Sequence, residues 1–212
     1  MSMASGAKKI PMNLYYCYYN NPEYWKLANE CAASFHHYGL HVNVYSLQNR
    51  NKWMLNCMSR APALQAMAEI HSGDGVGLLD ADLTCYKTPY RLIKFHNSPD
   101  HSGDVAVHDK AADKTPMPCA NSRYSAGVIC FAPTPLGRAC LRRWAELCVD
   151  DKDKGQVLRE QLYLEKAIEE GRKEGLVVYN LGVHYNQPVS SETVVLHHVE
   201  SRRSRDKIGG GM

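Results

Sequence analysis

The stretch GVGLLDADLTCYKTPY, residues 75–90, decides the fold prediction. Its apolar run, residues 76–79, is typical of a strand buried on both faces of a sheet. Two carboxylates, Asp80 and Asp82, follow where the run ends, and Pro89 marks a boundary before the next segment. Acids beside a buried strand are costly unless positive charge lies against them, and oxygen-rich sites suit Mg²⁺ or Mn²⁺. The stretch predicts a metal site at a strand end, with a solvated turn as the alternative.

Length and composition indicate one globular domain. The chain has 212 residues, of which 44% are hydrophobic and 22% charged, so wholesale disorder is excluded. A net charge of +3 does not by itself indicate a nucleic-acid binder. No apolar stretch approaches the roughly 18 residues of a membrane helix, and residues 1–12 lack a signal-peptide core. We therefore expect a soluble, cytoplasmic protein with one domain over residues 1–212 and flexible ends at 1–11 and 204–212.

Eight cysteines raise the question of disulfides or zinc. Their spacing contains no Cys-x-x-Cys pair and no zinc-ribbon pattern. Several of them lie in apolar runs or on apolar helix faces, where a cysteine behaves as a small buried hydrophobe. Reduced thiols are therefore expected.

Strand-like runs alternate with helical periodicity in the first half of the chain. Residues 13–19 and 41–47 are strand-like, and apolar residues at helical spacing lie between them, ending at Gly39. A second helix is predicted at 61–70, after a polar stretch, residues 48–60, that is expected to be irregular. These elements predict a parallel α/β sheet with Asp80 and Asp82 at the carboxyl end of a strand, where ligands bind in such sheets.

The second half continues the pattern. Helices are predicted at 90–95, 136–148 and 156–170, and strands at 104–108, 124–131, 176–181 and 193–199. Residues 109–122 contain two prolines and no periodicity, which predicts a loop, and the charged segment 150–155 is expected to be a solvated turn. No internal repeat is present.

Five motifs in this order resemble the GT-A class of glycosyltransferases, metal-dependent enzymes that take a sugar from a nucleoside diphosphate. They are NCMSRAPAL at 56–64, DAD at 80–82, YSAGVICF at 124–131, REQ at 159–161 and VVLHHVESRR at 194–203. The resemblance spans about residues 13 to 203 and is greatest to compact bacterial or viral members without a membrane anchor. It implies a single GT-A domain, a Rossmann-like α/β fold with a mixed, mostly parallel sheet flanked by helices.

The resemblance also implies site residues. Asp82 would be the main metal ligand, Asp80 would face the ribose and the metal, and His197 would complete the metal site, with His198 as the alternative. Further residues would bind the nucleotide sugar: Tyr18, Tyr19 and Asn20 at the base, Arg60 near the nucleotide or its phosphates, Ser125, Ala126 and Gly127 at the sugar, and Arg202 and Arg203 at the phosphates. Glu160 and Gln161 would face the reaction centre, although Glu160 replaces the usual Asp.

The implied activity is glycosyl transfer with Mn²⁺ or Mg²⁺ from a nucleotide sugar, with a uridine diphosphate sugar favoured. The acceptor could be a glycan or glycolipid, a protein side chain, or a 5-hydroxymethylpyrimidine of DNA, as in bacteriophage DNA modification. The basic residues Arg202, Arg203, Arg205 and Lys207 are consistent with DNA. A nucleotidyltransferase is disfavoured because NNPEYW, residues 20–25, contains no glycine for a phosphate loop, and a non-catalytic nucleotide-sugar-binding module is the other alternative. The sugar, the base, retention or inversion, and the oligomeric state stay open.

Overall fold

A mixed sheet with helices on both faces organises the chain. The computed structural model describes residues 13–97, 103–113, 122–153, 160–185 and 192–197. Its strands are β1 (Asn13–Tyr19), β2 (Val42–Ser46), β3 (Gly75–Leu79), β4 (Leu83–Cys85), β5 (Val105–Asp109), β6 (Tyr124–Phe131), β7 (Val178–Asn180) and β8 (Val195–His197). Its helices are α1 (Pro22–His36), α2 (Trp53–Met58), α3 (Arg60–Ile70), α4 (Tyr90–Asn97), α5 (Pro135–Asp153) and α6 (Glu160–Lys173), with a 3₁₀ turn at Val183–Tyr185.

The strand order of the main sheet places β3 at its centre. The sheet has six strands in the order β2-β1-β3-β6-β5-β7. β1 is parallel to β2 and β3, and β5 is parallel to β7, whereas β6 is antiparallel to both of its neighbours. β4 and β8 form a separate two-stranded antiparallel sheet. The mostly parallel sheet that the sequence predicts is therefore present, and Asp80 follows the carboxyl end of its central strand.

Alternation along the strands divides the core into two layers. Tyr16 and Leu78 belong to one cluster of buried side chains, which also includes Leu64 of α3 and Trp144 of α5. The residues next to them in the same strands point to the opposite face of the sheet. They belong to a second cluster, which also contains side chains of α1, α4, β4 and β8. The face that holds α3, α5 and α6 is called the α3 face below.

Local chemistry explains where α1 begins and ends. Asn21 has extended backbone angles, and its side chain accepts a hydrogen bond from the backbone N–H of Tyr24 at 2.8 Å. Pro22 occupies the first turn, where its missing N–H costs nothing. After the last turn, Gly39 adopts a φ of 79°, a conformation that favours glycine. The helix therefore delivers the chain into β2 next to β1.

Three features differ from the sequence predictions. Residues 48–60 are not wholly irregular, because α2 forms at Trp53–Met58; its N-cap residue Lys52 makes no side-chain capping bond, so the usual start signal is missing. The charged segment 150–155 is not simply a turn, because α5 continues to Asp153. β4 is a strand of its own, only three residues long.

The remaining predictions concern termini, thiols and membranes. The termini expected to be flexible, 1–11 and 204–212, and residues 114–121 of the predicted loop lie outside the described residues. None of the seven described cysteines forms a disulfide, as expected for reduced thiols. Among the described helices, none combines the length and apolar character that a membrane crossing requires.

Candidate metal centre

Two aspartates and a histidine meet where β3 gives way to β4. Asp80 directly follows β3, Asp82 directly precedes β4, and the pairing of Leu83 with His197 brings the end of β8 beside them. His197 Nε2 lies 3.0 Å from Asp82 Oδ1 and 3.6 Å from Asp80 Oδ2. The structure thus brings together the two acids and the late histidine that the resemblance implied.

The donor set of this group fits a divalent cation. One ligand atom from each of the three residues lies within 4.8 Å of the others. Opposite ligands of an octahedral Mg²⁺ are about 4.2 Å apart, since each bond is about 2.1 Å. The separations of 3.0 and 3.6 Å between His197 Nε2 and the two carboxylates are shorter than this span. Two carboxylates and one imidazole suit Mn²⁺ or Mg²⁺ and leave positions for oxygen atoms of a ligand.

Arg60 links this group to a third carboxylate. By strand alternation Asp80 faces the α3 face, as Leu78 does, and there it meets Arg60, the first residue of α3. Arg60 Nη1 donates to Asp80 Oδ1, and Nη2 donates to Glu160 Oε2 at 2.5 Å. Within the described part of the chain, Arg60 Nε and Glu160 Oε1 have no hydrogen-bond partner although both atoms are buried.

Burial and neighbouring charges set the protonation of these groups. Burial raises the pKa of Glu160 to about 7; the Arg60 guanidinium opposes this shift and the charge of Asp80 adds to it. For His197, burial lowers the pKa, but the hydrogen bond to Asp82 and the charges of both aspartates outweigh it and the pKa is raised. Glu160 can therefore exchange a proton near neutral pH, which suits general acid–base chemistry.

A bulge in β6 positions the small residues of YSAGVICF. β5 pairs Val107 with Ile129 but His108 with Ser125, so residues 126–128 are skipped on that side. On the other side the strand stays with β3, and the backbone N–H of Asp80 donates to the carbonyl of Gly127 at 2.9 Å. Gly127 therefore lies at the metal centre, whereas Ser125 and Ala126 are buried beside it in the bulged strand.

The expected base-binding residues lie at the end of β1. Tyr18 is buried, its ring stacks with that of Tyr16 at 6.2 Å, and its hydroxyl has no hydrogen-bond partner in the described ranges. Tyr19 and Asn20 are partly buried. A cavity of about 300 Å³, which the sequence did not indicate, opens where β2 ends; its lining residues are Leu47, Gln48, Arg50, Met58, Ser59, Pro62, Cys148 and Val149.

Other expected site residues have simpler placements. Gln161 follows Glu160 in α6, and its carbonyl accepts a hydrogen bond from Ser122 Oγ at 3.2 Å. His198, Arg202 and Arg203 lie outside the described residues. Sequence reasoning missed the support of Glu160 by Trp144, whose Nε1 donates to the Glu160 carbonyl at 3.2 Å. The sequence placed Trp144 only within the helix predicted at 136–148.

A second charged cluster lies at the carboxyl end of β5. Asp109 accepts hydrogen bonds from Arg123 at 2.9 and 2.7 Å, and Arg123 also contacts Glu169 at 3.2 Å. His108 is buried, with Nε2 3.3 Å from Asp113 Oδ2. The Asp109 cluster ties β5 and β6 to α6, which also carries Glu160.

Comparisons with known proteins agree on the architecture. No protein-family model matches the chain, and no curated protein matches it. A solved structure of a glycosyltransferase involved in the glycosylation of the major capsid of PBCV-1 superposes with a TM-score of 0.59 and 13% identity, covering 93% of this chain and 98% of that chain. The apo form of mouse xyloside xylosyltransferase 1 gives a TM-score of 0.46 and 11% identity over 89% of this chain and 97% of the other. The first similarity confirms the expected fold class, a GT-A-type α/β fold with a mixed, mostly parallel sheet flanked by helices.

Proposed function

We propose that the protein is a metal-dependent glycosyltransferase that moves a sugar from a nucleoside diphosphate to an acceptor hydroxyl. The observation that carries this proposal is the convergence of Asp80, Asp82 and His197 at the carboxyl end of the central strand, in a fold shared with a solved glycosyltransferase. Ligands of open α/β sheets bind at this edge.

Asp80, Asp82 and His197 would hold the cation, and Mn²⁺ or Mg²⁺ fits them best. The bound cation would neutralise the negative charge that develops on the departing diphosphate. Arg60 lies beside Asp80 and can offer its guanidinium to the same phosphates, because the planar fork of arginine matches phosphate oxygens. The diphosphate would therefore meet two positive charges, the guanidinium of Arg60 and the metal ion held by Asp80, Asp82 and His197.

Glu160 would accept the proton of the acceptor hydroxyl if the reaction inverts the sugar configuration. Its carboxyl group is buried, its Oε1 has no partner among the residues that the structure describes, and its pKa of about 7 suits a base at neutral pH. Gly127 and Ala126 would line the donor sugar, where small residues let a ligand approach the backbone.

The nucleoside would lie towards β1 and β2, beside Tyr18, Tyr19 and Asn20. The cavity at the end of β2 supports this direction, because Ser59 lines it and precedes Arg60 in sequence. Uridine diphosphate sugars are the favoured donors.

A thermal-shift panel of nucleotide sugars, each with and without Mn²⁺, tests the proposal. Because a ligand that binds the native state raises the melting temperature, a shift that requires both the metal and one donor is expected. Asp82→Asn should abolish that shift, whereas Asp150→Asn, at an exposed aspartate of α5, should retain it. A native protein that responds to no donor, or full activity of Asp82→Asn, would overturn the proposal.

Among acceptors, a glycan is the default, and one surface favours DNA as the second candidate. Tyr86, Lys87, Tyr90, Arg91 and Lys94 are all exposed, and residues 83–97 contain no acid. Tyr86 and Tyr90 are 50% and 71% exposed. Exposed rings among cations suit stacking on bases and contact with phosphates.

Binding to a duplex that contains 5-hydroxymethylcytosine, measured at 50 and 200 mM salt, tests the DNA acceptor. Tyr90→Ala and Lys94→Gln should weaken binding. Lys94→Gln should also lower the slope of log affinity against log salt concentration by about one, the contribution of one phosphate contact. Lys166→Gln, at an exposed position of α6, is the control. Unchanged binding in both test variants would favour the glycan.

A further inference from the structure

One arginine occupies the space between the metal centre and the carboxylate proposed as the base. The side chains of Arg60, Asp80 and Glu160 are only 17%, 15% and 4% exposed. Two of the guanidinium nitrogens are engaged, one by each acid, and Nε has no hydrogen-bond partner within the described ranges. Arg60 therefore acts as an internal cation that binds two acids from different parts of the chain.

This arrangement opposes binding of a metal ion by itself. Asp80 is both a partner of Arg60 and a member of the metal group, and Arg60 donates to its Oδ1 while Oδ2 faces His197. A divalent ion on Asp80 would lie close to the guanidinium in a buried site, where repulsion between like charges is weakly screened. The arginine and the metal ion therefore compete for the negative charge of the Asp80 carboxylate.

A diphosphate changes this balance. It carries several negative charges and offers oxygen pairs that an arginine fork can bind at two points. If Arg60 turns to the diphosphate, Asp80 becomes fully available to the cation, and the diphosphate also compensates the charge of that cation. Glu160 then loses its only described cationic partner and is left with two acceptor oxygens for the incoming hydroxyl.

We propose that Arg60 makes metal binding conditional on the diphosphate by exchanging Asp80 and Glu160 for the phosphates. The inference rests on the proposed function, since it assumes that a nucleoside diphosphate is the ligand. In the free protein, Arg60 fills the centre and pairs with both Asp80 and Glu160. In the complex, one movement of the guanidinium completes the metal site and releases the carboxylate that takes the proton. Arg60 therefore binds the donor and also controls the metal site, and metal and donor bind cooperatively through it.

Mn²⁺ binding to the donor-free protein, followed by electron paramagnetic resonance of the free ion, tests the first half. We expect Arg60→Gln to bind Mn²⁺ at least about tenfold more tightly than the wild type, because the competing cation is gone, and Arg60→Lys to lie between them. Arg123→Gln is the matched control, since Arg123 also binds a buried aspartate but one that is not a member of the metal group. Equal or weaker Mn²⁺ binding by Arg60→Gln would overturn the inference.

The coupling between metal and diphosphate tests the second half. Uridine diphosphate and guanosine diphosphate, titrated in parallel with and without Mn²⁺, should raise the affinity of the wild type for Mn²⁺ about tenfold or more. In Arg60→Gln, the nucleotide should raise the affinity for Mn²⁺ by no more than about threefold. A structural role for Arg60 would change affinities but leave the coupling intact, and this outcome would refute the exchange.

The two measurements separate the failures. If the wild type and Arg60→Gln both bind Mn²⁺ but with equal coupling to the nucleotide, only the exchange is wrong. If neither protein binds Mn²⁺ under any condition, the metal centre and the proposed function are wrong as well. Arg60→Lys keeps the charge and guards against a folding defect in Arg60→Gln, which a thermal melt detects.

Discussion

The two carboxylate oxygens of Glu160 have different surroundings in the metal centre. Oε2 accepts from Arg60 at 2.5 Å, whereas Oε1 is buried without a partner among the described residues. An unsatisfied buried oxygen is costly, and such atoms in native proteins often have a catalytic role. The free oxygen is therefore the one expected to meet the acceptor hydroxyl.

Glu160→Gln is expected to lower kcat by about 10²- to 10⁴-fold, because an amide cannot take the proton. The thermal shift with metal and donor should persist, since Asp80, Asp82 and His197 are intact. The measurement is steady-state kinetics together with the thermal-shift assay.

Glu170→Gln is the control for that substitution, because Glu170 lies on the same helix and pairs with Arg143 at the surface. It should keep the wild-type kcat. A Glu160→Gln enzyme with undiminished kcat would show that Glu160 is not the base and would favour a retaining reaction.

At the scale of the element, β3 must pass very close to its neighbours. A Cβ added at Gly77 would lie 2.7 Å from Tyr15 Cδ1 and 2.9 Å from Cys130 Sγ. Tyr15 and Cys130 are 1% and 0% exposed, so neither side chain can move into solvent. Glycine at this position lets the strand that leads to Asp80 pack closely against Tyr15 of β1 and Cys130 of β6.

Gly77→Ala is therefore expected to lower the free energy of unfolding by about 1–3 kcal/mol, the usual cost of overpacking a core. Urea denaturation measures the change. Gly73→Ala, where an added Cβ meets nothing within 4 Å, should change stability far less. Equal losses in the two variants would contradict the packing argument.

The predictable part of the fold is the part with local signals. The apolar run before Asp80, the helical spacing of α1 and the strand Tyr124–Phe131 could be identified because each carries its own pattern. β4 is three residues long, too short for a recognisable period, whereas the strand predicted at 193–199 contains β8. α2 was missed because its first turn has no side-chain cap.

Within the centre, residue types were predictable but contacts were not. The resemblance gave Arg60 and Glu160 separate roles near the ligand. Their ion pair joins residues 100 positions apart, and it depends on how α3 and α6 pack on one face of the sheet. The cavity at the end of β2 likewise exists only because α5 ends beside α2, which no local pattern shows.

At the scale of the whole molecule, the Asp109 cluster joins the second half of the sheet to α6. Burial tends to raise the pKa of Asp109, but hydrogen bonds from Arg123 and from the backbone of Ala111 and Ala112 outweigh it, so the pKa lies below its usual value of 3.8. Folding therefore favours the ionised form. The stabilisation is complete above the unfolded pKa and is lost as the pH falls through the lower folded pKa.

Asp109→Asn is expected to lower the free energy of unfolding by about 1–3 kcal/mol at pH 7, because Arg123 loses its ion pair with Asp109 and keeps only the more exposed one with Glu169. Above about pH 5 the difference between wild type and variant should be constant, and it should shrink below about pH 4. Urea denaturation from pH 3 to 8 measures it. A difference that is independent of pH would assign the loss to packing instead of charge.

The metal group joins residues 80 and 82 to residue 197, whereas all six strands of the main sheet end by Asn180. Chains emerge from the ribosome amino end first, and early parts can begin to fold while later parts are still being made. A nascent chain can therefore assemble the sheet before the group of Asp80, Asp82 and His197 is complete. Only when β8 emerges and pairs with β4 does His197 reach the aspartates. Under the proposed function, metal loading would thus distinguish a chain that includes β8 from one that stops before it, even when both have folded most of their core.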